Sequence, residues 1–164
     1  MNKLQHQNFR AAVLEFTNRT TWQNPYAVTL TLKQQATNDN GTSTKLDAIN
    51  ASDNVRHFRN RLNRSLLGRT ATRKGQHIAC FSVYEGKSTV LPHYHLCLDR
   101  PANITYEEFV CEIEKAWHAT NFGHRHIYIV PCHGLDGWLD YMTKRQTKTD
   151  FASSIDWNNT QPGA

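Results

Sequence analysis

Two strand-like runs joined by a short polar segment constrain the fold of this chain more than any other feature. Residues 77–84 and 90–98 are rich in apolar and β-branched side chains, and the polar residues 85–89 lie between them. This spacing and composition are typical of two antiparallel strands linked by a turn. We therefore predict a β-hairpin here, and an antiparallel sheet built around it.

The other periodic segments of the chain predict one strand on each side of this hairpin and helices between them. Apolar residues that alternate indicate strands, and apolar residues at three- and four-residue spacing indicate helices. A capping box, Thr105 with Glu108, marks the start of one helix. We predict strands at 26–32 and 124–130, a loop at 38–44, and helices near 9–16, 53–67, 105–120 and 135–148.

The order of these elements predicts the fold class. Strand, helix, strand, strand, helix, strand, helix is typical of an α+β protein in which helices pack on an antiparallel sheet of about five strands, as in ferredoxin-like and RNA-recognition folds. The 164 residues suit a single domain, 1–164, with its core at about 22–150 and a loose tail at 153–164. That fold serves both enzymes and binding modules, so it does not assign a function.

The amino-acid composition indicates which classes of partner and which cellular environment suit this chain. The formal charge of +5 and the pI near 9.1 suit a polyanionic partner such as nucleic acid. The four cysteines form no C-x-x-C pair and are expected to be reduced thiols. We find neither a signal peptide nor an apolar run of the roughly 20 residues that span a bilayer, so we expect a soluble, intracellular protein without a membrane partner.

His93-Tyr94-His95 lies inside the second strand of the hairpin. The two-residue period of a strand directs both imidazoles to one face, and Glu85, at the end of the preceding strand, can add an oxygen. Two nitrogens and one carboxylate suit Mn²⁺, or Mg²⁺ at lower affinity. The alternative is a polar surface pair. His124-Arg125-His126 competes for the same role but lacks a suitably placed acid.

Tyr141 and Lys144 are three residues apart on the last predicted helix and therefore share a face. A tyrosine there can attack phosphorus while the lysine offsets charge or orients the phosphate. Each residue alone fits an ordinary structural role, a tyrosine at the edge of a core and a solvated lysine. The combination of Tyr141 and Lys144 with a metal site is a more specific signal for catalysis than any one of them. Phosphodiester transfer by a tyrosine needs a metal, a nucleophile and a cation, and this chain offers all three. Tyr84, Tyr106 and Tyr128 are the alternative nucleophiles.

These motifs resemble those of the HUH endonucleases, in particular the single-tyrosine replication initiators of small circular DNA viruses and plasmids. The resemblance covers about residues 26–148. Residues 28–32 look like the first family motif, 92–96 like the metal-binding second motif, and 141–144 like the Y-x-x-K third motif. Glu85 is similarly placed to the family's acidic ligand. Tyr94 stands where the family usually has a bulky aliphatic residue, and the helicase domain of many viral initiators is absent.

The resemblance implies an enzyme that nicks one DNA strand, leaving a 5′-phosphotyrosyl adduct and a free 3′-hydroxyl. It implies a single-stranded or hairpin origin as substrate, rolling-circle replication as the process, and a helicase supplied in trans as a possible partner. Plasmid transfer and transposition are variants of the same chemistry. The compartment would be the cytoplasm of a bacterial host, or the nucleus for a eukaryotic virus.

A basic segment offers contacts for the phosphates of bound DNA. Its seven cations are Arg56, Arg59, Arg61, Arg64, Arg69, Arg73 and Lys74. The alternative for each of them is a solvated helix face. Further candidates near the predicted site are Arg100, Lys144, Arg145 and Lys148, while Trp22, Trp138 and Trp157 fit either base stacking or ordinary packing.

Two other functions fit parts of the sequence. A non-catalytic RNA- or DNA-binding module accounts for the fold, charge and aromatic residues, but it leaves the metal ligands and Tyr141 unexplained. A histidine-triad nucleotide hydrolase would need a third histidine where Cys97 stands.

Overall fold

A computed structural model describes residues 3–37, 39–86, 91–133, 135–142 and 152–162 of the chain. Its helices are α1 (Lys3–Asn18), α2 (Ala48–Arg73), α3 (Tyr106–His118) and α4 (Leu135–Met142), followed by two short 3₁₀ turns, Ala152–Ser154 and Trp157–Asn159. Its strands are β1 (Pro25–Leu32), β2 (Gln35–Thr37), β3 (Ser43–Lys45), β4 (Cys80–Glu85), β5 (His93–Asp99) and β6 (Gly123–Pro131).

The predicted antiparallel sheet and its hairpin are confirmed. The sheet has four strands, one fewer than the five or so predicted, in the order β4-β5-β1-β6, and all of its pairs are antiparallel. β2 and β3 form a separate two-stranded sheet, so residues 43 and 44 are strand where the sequence pattern predicted a loop. The α+β class with packed helices is therefore established, while the ferredoxin-like type stays a prediction.

Alternation along the strands gives the sheet two differently covered faces. On one face, which we call the α2/α3 face, Val28, Leu30 and Leu96 are fully buried in a core with Phe58 of α2 and Trp117 of α3. On the opposite face, the α1/α4 face, a smaller cluster joins strand residues to α1 and α4. Its buried members are Val13, Phe81, Val83, Cys97, Met142 and Ile155.

Helix α2 is longer than the predicted 53–67 segment because its two parts meet at a kink. The side chain of Asp47 caps the first turn, accepting from the Asn50 amide at 2.7 Å. The kink is at Gly68, whose φ of 81° is a conformation that glycine adopts readily and other residues rarely do. The predicted capping box of α3 is confirmed, with Thr105 and Glu108 bonding each other's backbone amides.

The prediction of a loose tail at 153–164 is wrong for the described residues 152–162. This segment lies along β4, where Gln161 forms a bridge with Cys80 and Ile155 forms one with Val83. Asn159 is fully buried, and its carbonyl accepts from the Ser82 hydroxyl at 2.9 Å. An edge strand carries unpaired backbone groups, and the segment satisfies those of β4. Its polar composition held no sign of this role.

Within the described ranges, every helix is too short or too polar to traverse a lipid bilayer.

Candidate active site

The hairpin register brings the three predicted metal ligands together. Glu85 is paired with His93 across β4 and β5, so both side chains lie on the α1/α4 face with His95 two residues further on. The Nε2 atoms of the two histidines are 3.1 Å apart, and each is 3.4 Å from Oε2 of Glu85. One ligand atom from each residue therefore points at a common centre that can hold a metal ion.

Hydrogen bonds on the far side of each imidazole fix its orientation. Nδ1 of His93 is 2.8 Å from the Leu91 carbonyl oxygen, which can only accept, so in the neutral ring Nδ1 carries the proton and Nε2 has the lone pair. Nδ1 of His95 is 3.0 Å from the Thr29 hydroxyl, which can accept in the same way. Such partners orient metal-binding histidines and set their tautomer.

The sequence patterns did not indicate Thr29 as a residue of the site. The signal lay in the pairing of β1 with β5, which sets Thr29 opposite His95. That register cannot be obtained from either strand alone, because the two residues are 66 positions apart.

The donor set fits a divalent ion that keeps coordination sites for substrate. His95 is buried, and the side chains of His93 and Glu85 are 15% and 16% exposed. Two imidazole nitrogens and one carboxylate oxygen occupy half of an octahedral shell, which leaves places for water and a phosphate oxygen. The arrangement suits Mn²⁺ or Mg²⁺, and it does not identify which of them is bound.

The predicted nucleophile lies beside these ligands. The rings of Tyr141 and His95 have centroids 5.3 Å apart, and the Tyr141 side chain is 47% exposed. Trp138, one turn earlier on α4, stacks on Tyr141 at 5.1 Å and meets the His95 ring edge-on at 5.4 Å. Its indole nitrogen donates to the Leu96 carbonyl at 3.0 Å. Trp138 thus links β5 to the tyrosine, a role that its apolar character alone did not indicate.

Lys144, the second catalytic residue predicted, lies outside the described residues, as do Arg145 and Lys148. The alternative tyrosines are further from the ligands or on the other face. Tyr84 packs against Tyr94 with ring centroids 5.1 Å apart, and Tyr106 stacks on Tyr26 at 5.7 Å, both on the α2/α3 side of the sheet. Tyr128 lies on β6, opposite Thr29.

One of the seven predicted DNA-binding cations is misassigned. Arg59 is only 6% exposed, and its guanidinium donates to the Gln161 side chain of the C-terminal segment. Packing of that segment explains the burial, and it makes Arg59 a structural residue. The other six are exposed: Arg56, Arg61, Arg64, Arg69, Arg73 and Lys74. Their helix covers the face opposite the three candidate metal ligands, so any phosphates that they contact are away from that site.

Arg100, Trp22 and Trp157, which were also predicted as possible DNA contacts, have partners within the protein. Arg100 donates to the Ile104 carbonyl, and its guanidinium lies 5.7 Å from the centre of the Tyr26 ring. Trp22 donates to the Thr17 carbonyl at 3.0 Å. Trp157 meets Phe16 edge-on at 5.7 Å and stays 48% exposed. Packing therefore accounts for Arg100 and Trp22.

Tyr94, the aromatic residue between the two histidines, is buried on the α2/α3 face. Its hydroxyl donates to Oδ2 of Asp156 at 2.8 Å. Burial, together with the negative charge of Asp156, raises the pKa of Tyr94 well above that of a free phenol, so the hydroxyl stays a donor. The C-terminal segment therefore supplies the partner that a tyrosine at this position needs.

Comparison of the chain with protein-family models, with curated proteins and with solved structures gives no significant match. The resemblance to HUH endonucleases therefore rests on the motifs in this sequence.

Proposed function

We propose that this protein is a metal-dependent, site-specific endonuclease that nicks single-stranded DNA through a covalent bond to Tyr141. The observation that carries the proposal is the contact of the Tyr141 ring with His95, one of three residues whose donor atoms converge on one point. A nucleophile beside a divalent-metal site is the arrangement that phosphodiester transfer requires.

The residues divide the work between binding and attack. Glu85, His93 and His95 would hold Mn²⁺ or Mg²⁺, which when bound polarises the scissile phosphate and offsets its charge. The phenol oxygen of Tyr141 attacks phosphorus as its proton passes to solvent. The bond from phosphorus to the 3′ oxygen breaks, and that oxygen takes up a proton. The products are a 5′-phosphotyrosine and a 3′-hydroxyl, and reversal rejoins the strand.

Trp138 acts as a positioning residue in this scheme. Its indole is bonded to the β5 backbone and lies almost parallel to the Tyr141 ring, with 10° between the planes. A Tyr141 ring held by Trp138 in this way has little orientational freedom left to lose when substrate binds. Correct orientation of the reacting groups accounts for much of the rate of a displacement reaction.

The biological setting follows from the resemblance. We infer initiation of rolling-circle replication of a plasmid, virus or phage at a single-stranded or hairpin origin; relaxases and transposases that use the same chemistry are the alternative. A non-catalytic binding module has no use for a phenol beside converging metal ligands.

Adduct formation tests the proposal. The protein is incubated with a library of single-stranded oligonucleotides and Mn²⁺, and a denaturing gel detects DNA attached to protein. We expect an adduct that is lost with EDTA and with Tyr141→Phe, while Tyr106→Phe, which changes a similarly exposed tyrosine, keeps it. Mass spectrometry of the adduct peptide identifies the modified residue.

DNA attached to another tyrosine, or a Tyr141→Phe variant that reacts at the wild-type rate, would overturn the role of Tyr141. Binding of the library without any adduct from the wild-type protein would favour the non-catalytic module.

A further inference from the structure

The part of the α1/α4 face formed by β1 and β6 carries an aromatic and basic surface that the chemistry does not use. Tyr128 is 60% exposed, and its backbone partner on β1 is Thr29, which in turn is paired with His95. One row across the sheet therefore runs from a metal ligand to Tyr128. The distance is two strand spacings, or roughly 10 Å.

A β-bulge in β6 adds a second group to this surface. Leu30 is paired with Ile127 and Leu32 with Gly123, so Thr31 alone faces residues 124–126. A bulge turns side chains from their regular directions and is frequent beside functional sites. Here the rings of His124 and His126 meet edge-on with centroids 4.7 Å apart, and Thr31 is paired on its other side with His93.

Two cations lie at the bulge, and both are exposed. Lys33 follows β1 and acts electrostatically on His124. Arg125 lies between two histidines whose rings share one side of β6, so its side chain leaves the strand on the other side. We name Lys33, His124, His126 and Tyr128 the β6 shelf.

We propose that the β6 shelf binds the unpaired nucleotides next to the scissile phosphate, with Tyr128 stacking on a base and Lys33 contacting a phosphate. This inference rests on the proposed function and extends it from the reacting phosphate to the strand beside it. Aromatic side chains next to cations bind single strands with little sequence preference, because every base has a π-face. Duplex DNA, whose bases are stacked on each other, does not offer those faces.

The rest of the same face explains why the strand would take this direction. Over β4 and β5, Phe81, Val83 and Cys97 are buried with Val13 of α1 and Met142 of α4. Over β1 and β6, Thr29 and Thr31 are half-buried, and His126 and Tyr128 are exposed. A strand with its phosphate at the metal ligands therefore has an accessible surface on the β6 side.

Binding without metal tests the shelf separately from the chemistry. Fluorescence anisotropy in EDTA measures the affinity for a fluorescein-labelled single-stranded oligonucleotide of mixed sequence, with its duplex form as a comparison. We expect Tyr128→Ala to weaken single-strand binding about 10-fold. Tyr128→Phe, which keeps the ring, should bind close to wild type. The matched control is Tyr106→Ala, an exposed tyrosine on the other side of the sheet.

Lys33 gives a second readout. Replacing Lys33 with alanine should lower the slope of log affinity against log salt by about 0.7 if this side chain neutralises one phosphate. Single-strand affinity that is unchanged in Tyr128→Ala, or that falls equally in Tyr106→Ala, would overturn the proposal. So would an equal loss of duplex binding in Tyr128→Ala.

The two proposals can fail separately. If the wild-type protein forms an adduct and Tyr128→Ala binds single strands like wild type, the proposed role of the β6 shelf is wrong and the proposed nuclease activity is supported. If Tyr128→Ala weakens binding but no adduct forms, the proposed nuclease activity is wrong, and the β6 shelf is a single-strand binding surface without a scissile phosphate beside it.

Discussion

The chain contains two His-x-His pairs whose rings are arranged almost identically. The centroids are 4.7 Å apart in both, and the ring planes meet at 81° for His93 and His95 and at 84° for His124 and His126. The first pair lies on an inner strand with Glu85 3.4 Å from both imidazoles. The second lies on the edge strand β6, where the charged groups acting on His124 are basic.

This comparison separates what a strand provides from what its neighbours provide. The two-residue period places the imidazoles of each pair together in both cases. The neighbouring strands add a carboxylate and a hydroxyl partner to the first pair. The groups that act on His124 in the second pair are all basic, and two of them lie on β6 itself. The same three-residue pattern is thus suited to a metal in one place and to a polyanion in the other.

The largest expected effect is on metal binding. Replacing His93 and His95 together with alanine should abolish Mn²⁺ binding in isothermal titration calorimetry, because two of three donors are removed. The matched double variant at His124 and His126 should bind Mn²⁺ like wild type. If Mn²⁺ binding is kept in the His93 and His95 variant and lost in the His124 and His126 variant, the second pair is the metal site.

A smaller loss is expected from Thr29→Val, which removes the partner of the His95 Nδ1 atom and keeps the shape of the side chain. Loss of such a supporting hydrogen bond typically weakens metal affinity by about 10-fold or more. Thr31→Val is the matched control, since Thr31 faces His93, whose Nδ1 is bonded to the Leu91 carbonyl instead. Thr29→Ser should retain Mn²⁺ affinity; a wild-type value for Thr29→Val would exclude the role.

The central residues of the two pairs should differ in their contribution to stability. Tyr94→Phe removes the hydrogen bond to the Asp156 carboxylate and should lower the free energy of unfolding by about 1.5 kcal/mol or more. Arg125→Ala, at an exposed position, should change it by less than about 0.5 kcal/mol. Urea denaturation measures both, and equal losses would contradict the comparison.

The hydrogen bond between Tyr94 and Asp156 also predicts that the stability of the protein depends on pH. Because the folded state raises the pKa of Tyr94, the stability it contributes is fully present below the phenol's unfolded value of about 10 and falls as pH rises above it. Urea denaturation should show a smaller loss between about pH 9 and pH 11 for Tyr94→Phe than for wild type.

The smallest effect concerns the second pair. Partial burial and then His126, Arg125 and Lys33 lower the pKa of His124 below its ordinary value. Lys33→Ala removes one of these cations and should raise that pKa, as followed by NMR titration of the imidazole protons. Lys115→Ala, on α3, is the control and should leave it unchanged.

Local patterns predicted the elements and part of the site. The hairpin, the capping box of α3 and the common face of His93 and His95 follow from periods of two to four residues, which covalent geometry imposes wherever the element forms. The placement of Tyr141 beside His95 was predicted from the chemistry that the two would perform together, and the structure brings the rings to 5.3 Å.

The remaining assignments depended on residues far apart in the chain. Arg59 is paired with Gln161 over 102 positions, Tyr94 with Asp156 over 62, and Thr29 with His95 over 66. No local period encodes such pairs. The basic composition of α2 predicted DNA contacts at Arg59 because composition carries no information on what packs against a helix.

By itself, the sequence determined the four helices and the strands of the main sheet, though not β2 and β3, and which side chains share a face within each of these elements. Only the tertiary structure decided which His-x-His pair receives an acid, that the C-terminal segment lies along β4, and that α2 covers the face opposite the metal ligands. The physical reason is that a side chain's direction is set by its own backbone, whereas its burial, charge and partners are set by whichever distant segment packs against it.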